Sequence, residues 1–156
     1  MSIYQYKAGL QNVGSYQVGG TPFLTGTVLL GSGPNNGEIK IEFPNVTKNV
    51  LIVNTSASVP IRVHFNSMTE GNVIGGHHYF TLEDKKDSVS LNSKCKEIYI
   101  SLESAGADGA FELVADLTGI QAKEMFELGW DRDWETYISL HLLFKLTLSF
   151  LSSKVK

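Results

Sequence analysis

The side chains of this chain best suited to chemistry are its histidines, its single cysteine, Cys95, and a short acidic cluster. Imidazoles bind zinc or iron, and such sites usually need three protein ligands in fixed geometry. His64, His77 and His78 could converge if the strands that carry them are neighbours. Adjacent residues on a strand point to opposite faces, however, so His77 and His78 cannot both face one ion unless the pleat is broken between them. Surface or interface histidines are the favoured reading, and no metal or other cofactor is expected. Cys95 stands between Lys94 and Lys96, whose charges would lower a thiol pKa and favour the thiolate. A thiolate becomes a nucleophile for catalysis only with a base nearby, so the favoured reading is a cysteine at a strand start flanked by solvated lysines. Glu83, Asp84 and Asp87 offer hard oxygen ligands for calcium, but the EF-hand spacing is missing and Lys85 and Lys86 oppose a cation. Tyr16, Phe23, Tyr79, Phe80 and Tyr99 include candidates for an aromatic platform that would hold a sugar ring; core or interface packing is the simpler role for most of them. There is no Gly-x-Ser-x-Gly elbow, phosphate-binding Gly-Lys-Ser/Thr loop or dinucleotide fingerprint. No catalytic residue can be named, and the chain is not expected to be an enzyme.

Composition narrows the remaining classes. The 156 residues are about one domain, long enough to bury a core without disulfides or a structural metal. With 13 basic and 16 acidic side chains and a formal charge of -3, neither sign gathered into a block, the chain does not read as a nucleic-acid binder. Fifteen glycines and a charged fraction of 19% suit a β protein rich in turns. One cysteine permits no intrachain disulfide, so folding does not require an oxidising compartment. The first residues, MSIYQYKAGL, lack the basic start and long apolar region of a secretory signal, and export by that route is not expected.

Position in the chain is set by short strands. Val50, Leu51, Ile52 and Val53 form a β-branched run that reads as a central strand covered on both faces. Ile61, Val63 and Phe65 alternate with Arg62, His64 and Asn66, and with Asn54–Pro60 as a turn the two segments are expected to form a hairpin. Upstream, Met1–Gly9 holds Tyr4 and Tyr6, either an edge strand or an arm that packs on a neighbouring subunit. A short strand from Val13, a Gly19-Gly20 turn and a longer strand beginning near Pro22 follow; proline lacks an amide proton and suits a strand's first residue or an edge. Gly31–Gly37 is a loop. Ile39, Ile41 and Phe43 point one way while Glu38, Lys40 and Glu42 point the other, the cleanest half-exposed strand in the chain.

Downstream of the expected hairpin, Ser67–Gly76 reads as a mobile loop, and His77–Leu82 as a strand before the charged tip Glu83–Asp87. Strands around Val89–Leu91 and Ile98–Ile100 follow, and Phe111, Leu113 and Ala115 mark a last strand before Gly119. Eight or nine short strands with glycine and proline punctuation predict an all-β fold, an antiparallel jelly-roll-like sandwich over residues 1–120. Outer strands invite pairing with another chain, so a homo-oligomer is expected. The loops Gly31–Gly37 and Ser67–Gly76 are the expected contact surfaces, because loops of a rigid sandwich present variable chemistry.

Composition changes after Ile120, and residues 121–156 read as a C-terminal extension. Gln121–Gly129 suits one or two helical turns. From Ile138 to Phe150 the even positions are apolar, which fits a strand by period, while the leucine-rich content fits a helix; both stay open. A membrane span is not expected: a helix of about fourteen residues covers about 21 Å against a hydrocarbon core of about 30 Å, and Lys145 in its middle would oppose insertion by about 2.5–3.5 kcal/mol. The abruptness of the change raises the hypothesis that this extension is foreign to the evolved domain, to be tested by expressing residues 1–120 alone.

Several strand and turn phrases carry a resemblance. They are Asn12-Val13-Gly14-Ser15-Tyr16-Gln17-Val18, Thr21-Pro22-Phe23, Phe43-Pro44 with Val46-Thr47-Lys48, Val63-His64-Phe65, His77-His78-Tyr79, Lys94-Cys95-Lys96-Glu97-Ile98-Tyr99-Ile100-Ser101 and Leu117-Thr118-Gly119-Ile120. In these the chain resembles small virion structural proteins of tailed bacteriophages, particularly marine ones, over residues 1 to about 120. The resemblance implies a non-enzymatic virion component made in the bacterial host cytoplasm, a capsid-decorating protein or a head or tail accessory, whose partners are a phage capsid or other virion protein and copies of itself. A carbohydrate-binding β-sandwich module, itself displayed on a virion or not, is the competing expectation.

Overall fold

The alternating segments fold as strands in a computed structural model that describes residues 22–69 and 72–125. In chain order they are β1 (Phe23–Leu29), β2 (Ile39–Glu42), β3 (Asn45–Asn54), β4 (Ile61–His64), β5 (Tyr79–Leu82), β6 (Ser88–Leu91), β7 (Glu97–Leu102) and β8 (Gly109–Gln121). They assemble into two antiparallel four-stranded sheets, one in the order β1-β8-β3-β6 and the other β2-β7-β4-β5. The described residues therefore form an all-β sandwich. The segments expected at residues 1–18 and the extension beyond Met125 lie outside the described residues.

Each strand buries one set of alternate residues. From the first sheet Leu29, Val50, Ile52, Phe111, Leu113 and Ala115 point inward, and from the second Ile41, Ile61, Val63, Leu82, Ile98, Ile100 and Leu102 meet them. Burying one Leu, Ile or Phe side chain is worth about 1.5–3 kcal/mol relative to leaving it exposed, and this double row is the main source of cohesion between the sheets. Phe23 closes one end edge-on against Phe43, with ring centroids 5.3 Å apart.

The hairpin expected around Asn54–Pro60 does not form. β3 lies in the first sheet and β4 in the second, so Asn54–Pro60 carries the chain across the core. Val50 and Ile52 meet Ile61 and Val63 across the layers of the core, and the period-2 pattern of each strand cannot distinguish that from side-by-side pairing. Buried Asn54 makes the crossing: its amide donates to the carbonyls of Val59 and Leu82, each at 3.0 Å, and its side-chain oxygen accepts from the Ser56 amide at 2.8 Å. The run Val50–Val53 is central, between β8 and β6, but its outward residues Leu51 and Val53 are only half-buried, so one face of the strand is not covered.

Two other boundaries shift. β8 continues through Gly119 to Gln121, because Thr118 donates to the Val46 carbonyl at 2.8 Å and the Asn45 amide donates to the Thr118 carbonyl at 2.9 Å. The strand expected from His77 begins at Tyr79, since His77 has a φ of 57° and turns the chain. Past β8, a single 3-10 turn at Ala122–Glu124 is the described part of the helical segment expected from Gln121.

Replacing Ile100, which is fully buried, by alanine removes core packing and should cost about 2–5 kcal/mol. Asn54→Ala removes the hydrogen bonds to the Val59 and Leu82 carbonyls and from the Ser56 amide and should cost about 1–3 kcal/mol. Leu30→Ala, on a side chain 56% exposed, should stay within about 0.5 kcal/mol of the wild type. Urea unfolding followed by circular dichroism measures all three; a Leu30→Ala loss equal to that of Ile100→Ala would refute this assignment of the core.

Candidate functional site

Where alternate residues of the second sheet turn outward, they form a polar and aromatic face. Strand register sets His64 on β4 between Tyr79 on β5 and Tyr99 on β7, with Lys40 on β2 beyond Tyr99. Neighbouring strands are about 4.8 Å apart, so the two tyrosines stand about 10 Å from each other. The His64 and Tyr99 rings are stacked, with centroids 5.9 Å apart and planes within 12°. At the other end of the row the Arg62 guanidinium lies 4.4 Å from the centre of the Tyr79 ring and donates to Glu103 Oε1 at 3.1 Å. Arg62 Nε is buried and has no hydrogen-bond partner among the described residues.

Charge is balanced at the β2 edge of this face. Lys40 Nζ reaches Glu42 at 2.8 Å and Glu97 at 2.9 Å. Those bonds, the one to Glu42 first, hold the ammonium above its ordinary pKa, and Lys40 in turn holds the Glu42 carboxyl below the usual range. Both groups are well exposed, so solvent screens the pair and it adds little to stability. The Tyr99 hydroxyl donates to Glu97 Oε1 at 3.2 Å; burial, with the Glu97 charge second, pushes its pKa up.

His64 lies beneath this surface, 1% exposed. Its Nδ1 is 2.6 Å from the Asn66 carbonyl, which can only accept, so Nδ1 carries the proton. Nε2 then accepts from the Ser101 hydroxyl at 3.0 Å. Glu38 Oε2 is 3.8 Å from Nε2, while the same carboxylate accepts from the Ser67 hydroxyl and the Met68 amide, each at 2.6 Å. The segment after β4 is thereby tied down over the histidine. Burial, the largest cause, lowers the His64 pKa, and the nearby Arg62 charge adds to it against the opposing effects of Asn66 and Glu38. The ring is accordingly neutral near pH 7, and its approach to Glu38 is not an ion pair.

A serine hydroxyl on a histidine nitrogen is the contact that nucleophilic catalysis uses. Here Ser101 is fully buried, and the carboxylate lies near the same ring nitrogen as the serine, leaving the other nitrogen to a backbone carbonyl. The arrangement satisfies buried polar groups and gives a substrate no access to the hydroxyl.

The other sequence candidates are dispersed. His77 and His78 are exposed in the turn before β5, with His77 beside Tyr79 at 6.1 Å between ring centroids. Among the described residues no group of three or more His, Cys, Asp or Glu side chains is arranged to hold a metal ion. In the tip Glu83–Asp87, Asp87 Oδ2 accepts from the amides of Glu83 and Asp84 at 3.0 and 2.9 Å, an internal cap.

For Cys95 the structure speaks against the thiolate, the alternative that the sequence did not favour. The residue is 7% exposed and packs in the core, and burial pushes its thiol pKa up. The Cys95 amide donates to Thr47 Oγ1 at 3.0 Å, and Sγ lies 3.2 Å from the same oxygen, clasping β3 to the segment before β7. Flanking lysines signal a thiolate only when the sulfur reaches the surface with them, which the linear sequence does not reveal.

Of the five aromatics proposed for a sugar platform, Tyr79 and Tyr99 share the outer face. Phe23 turns inward, Phe80 sits on the opposite side of β5 and is 53% exposed, and Tyr16 lies outside the described residues. In the loop Gly31–Gly37, the Gly31 amide donates to Asp108 at 2.8 Å and Asn36 to the Glu103 carbonyl at 3.3 Å, while Ser32, Pro34 and Asn35 are exposed. The loop Ser67–Gly76, read as mobile, is anchored within its described residues by Ser67 and Met68 on Glu38 and by buried Val73. Sequence reasoning missed Glu38, Ser101 and Arg62 as members of one cluster; a polar residue at alternate positions of each strand was the available signal, but its partners depend on strand order. Compared with family models, curated proteins and solved structures, the chain finds no match.

Two measurements check these assignments. Because the folded-state pKa of His64 lies below its ordinary value of about 6.5, the unfolded chain takes up the proton first as pH falls. The stability due to neutral His64 is complete above that value and declines below it until the folded-state pKa is reached. Unfolding titrations between pH 8 and 5 should show this decline, and His64→Gln should lower stability at pH 8 and lessen the slope. For Cys95, a thiol-specific disulfide reagent at pH 8 should react slowly with the native protein and at once in denaturant; rapid native reaction would contradict its burial.

Proposed function

We propose that this protein is a non-enzymatic structural component of a bacteriophage particle, a capsid-decorating protein or a head or tail accessory, that acts by associating with copies of itself and with the particle. The observation that carries the reading is the winding of the sandwich. We take the strand orders β1-β8-β3-β6 and β2-β7-β4-β5 for the winding of a jelly roll, an architecture recurrent in viral capsid and lectin domains. Fold alone does not specify function, and the resemblance of the strand phrases to small virion structural proteins is the second line of support. A third is the sealed state of the Ser101–His64 pair, the nearest approach to a nucleophile–base contact among the described residues. Many copies on a repeated lattice can bind firmly through contacts that are individually weak.

A carbohydrate-binding role is the second reading, supported by one specific feature. Tyr79 and Tyr99 lie in one row about 10 Å apart, flanked by Arg62, Glu103, Lys40 and Glu97 as hydrogen-bonding groups. The outer face of a sheet with such a row suits a saccharide chain.

Peptide mass spectrometry of purified particles encoded by the same genome, together with gold-labelled antibody against the chain, should find the protein at one repeated position on the virion. Its absence from purified particles would refute the structural reading. In parallel, a glycan array probed with the wild type and with Tyr79→Ala separates the second reading: binding lost in the variant supports a sugar site, and no binding by the wild type refutes it.

A further inference from the structure

The four edge strands of the sandwich are unlike one another. β2, β5 and β6 are four residues long; β2 carries Lys40 and Glu42, and β5 and β6 adjoin the charged tip Glu83–Asp87. Short length and charge are the devices by which sheet edges resist pairing with another chain. β1 has neither. It runs seven residues, Phe-Leu-Thr-Gly-Thr-Val-Leu, with no charged side chain, and among the described residues it pairs with β8 alone. Leu24 is 67% exposed and Val28 51%.

The order of residues along β1 is close to palindromic about Gly26. Thr25 matches Thr27, Leu24 matches Val28, and Phe23 matches Leu29. We propose that β1 pairs antiparallel with β1 of a second copy about a two-fold axis at Gly26, so that two four-stranded sheets become one sheet of eight. The inference rests on the self-association in the function proposed above and assigns it a surface.

A two-fold contact uses one patch twice, so each residue must suit its symmetry mate. In this register Leu24 stands opposite Val28 of the second copy on the outer face, and Thr25 opposite Thr27 on the inner one. The apolar row continues inward on each side, because Leu24 is level with Val114 of β8 and Val114 with Leu51 of β3. Electrostatics permit the approach. The nearest charged residue on the outer face, Glu112, is level with Gly26 one strand in, so the two Glu112 side chains would be three strand spacings apart. That is about 14 Å, beyond the screening length of about 8 Å at physiological ionic strength. The missing side chain at Gly26 leaves the axis itself unobstructed.

Sedimentation equilibrium on the full chain should give a mass about twice 17.1 kDa. Leu24→Lys with Val28→Lys sets like charges opposite each other across the axis, and Leu24→Glu with Val28→Glu does the same with the other sign. Each double variant should be monomeric, with association weakened about tenfold or more, and an equimolar mixture of the two should recover the dimer. Recovery shows that both variants fold. Should either fail to fold, amide hydrogen exchange on the wild type decides: the amides of Phe23–Leu29 should be protected at high concentration and lose protection on dilution. A wild-type monomer, a dimer that survives both double variants, or β1 amides protected regardless of concentration, as when another segment of the same chain covers the strand, would overturn the pairing. A monomer still found on particles would sink the pairing and leave the virion reading standing; a dimer absent from particles would do the reverse.

Discussion

The interaction on which the rest of this structure depends is the burial of two facing rows of aliphatic side chains, Ile98, Ile100 and Leu102 of β7 with Ile61 and Val63 of β4 on one side, and Val50, Ile52, Leu113 and Ala115 on the other. Burial of apolar surface is non-directional and proportional to area, so it joins the sheets without dictating the polar contacts around them. Those contacts come from groups the core forces out of water. Asn54 takes up three backbone groups where the chain crosses between layers, and Thr47 ties β3 to Cys95. Neither supplies much net energy, but a buried polar group left unpaired costs more than a made bond contributes. They therefore select this crossing among others of similar apolar burial.

The same core leaves the two outer faces free to differ. On the second sheet the outward residues are Lys40, Glu42, Arg62, His64, Tyr79, Glu97, Tyr99 and Ser101, joined through shared carboxylates and stacked rings. On the first sheet the row through Leu24, Val114 and Leu51 is apolar and uncharged. One face thus offers ordered polar groups, and the other offers an apolar row that runs to an edge strand paired on one side only among the described residues. That division suits the assembly role proposed above, in which one edge would join copies and the polar face would be left for a different partner.

His64 links core and surface. Its neutral form accepts the Ser101 hydrogen bond, and the Glu38 carboxylate beside it anchors the segment that covers the ring. Protonation would turn Nε2 into a donor facing a hydroxyl that now donates to it, with Arg62 on the same face of the strand. The cluster is consequently a structural element whose cost is set by pH, and its chemistry is inward.

Strand identity was legible in the residues. Alternation of Ile39, Ile41 and Phe43 with Glu38, Lys40 and Glu42 assigns both faces of β2, and Pro22 correctly precedes β1, because side-chain period and proline geometry are local properties. Cohesion into an all-β sandwich followed from the same signals. What the sequence by itself determined was therefore which segments are strands and, where apolar and polar residues alternate, which residues turn inward. Only the tertiary structure decided which strands are neighbours: that β3 and β4 part company across the core, that Cys95 is sealed while its lysine neighbours are not, and that Glu38, His64 and Ser101 meet. The physical reason is that period-2 patterning orients a side chain toward the core without naming the strand beside it, and partners in an antiparallel sandwich are chosen by packing between residues far apart in the chain.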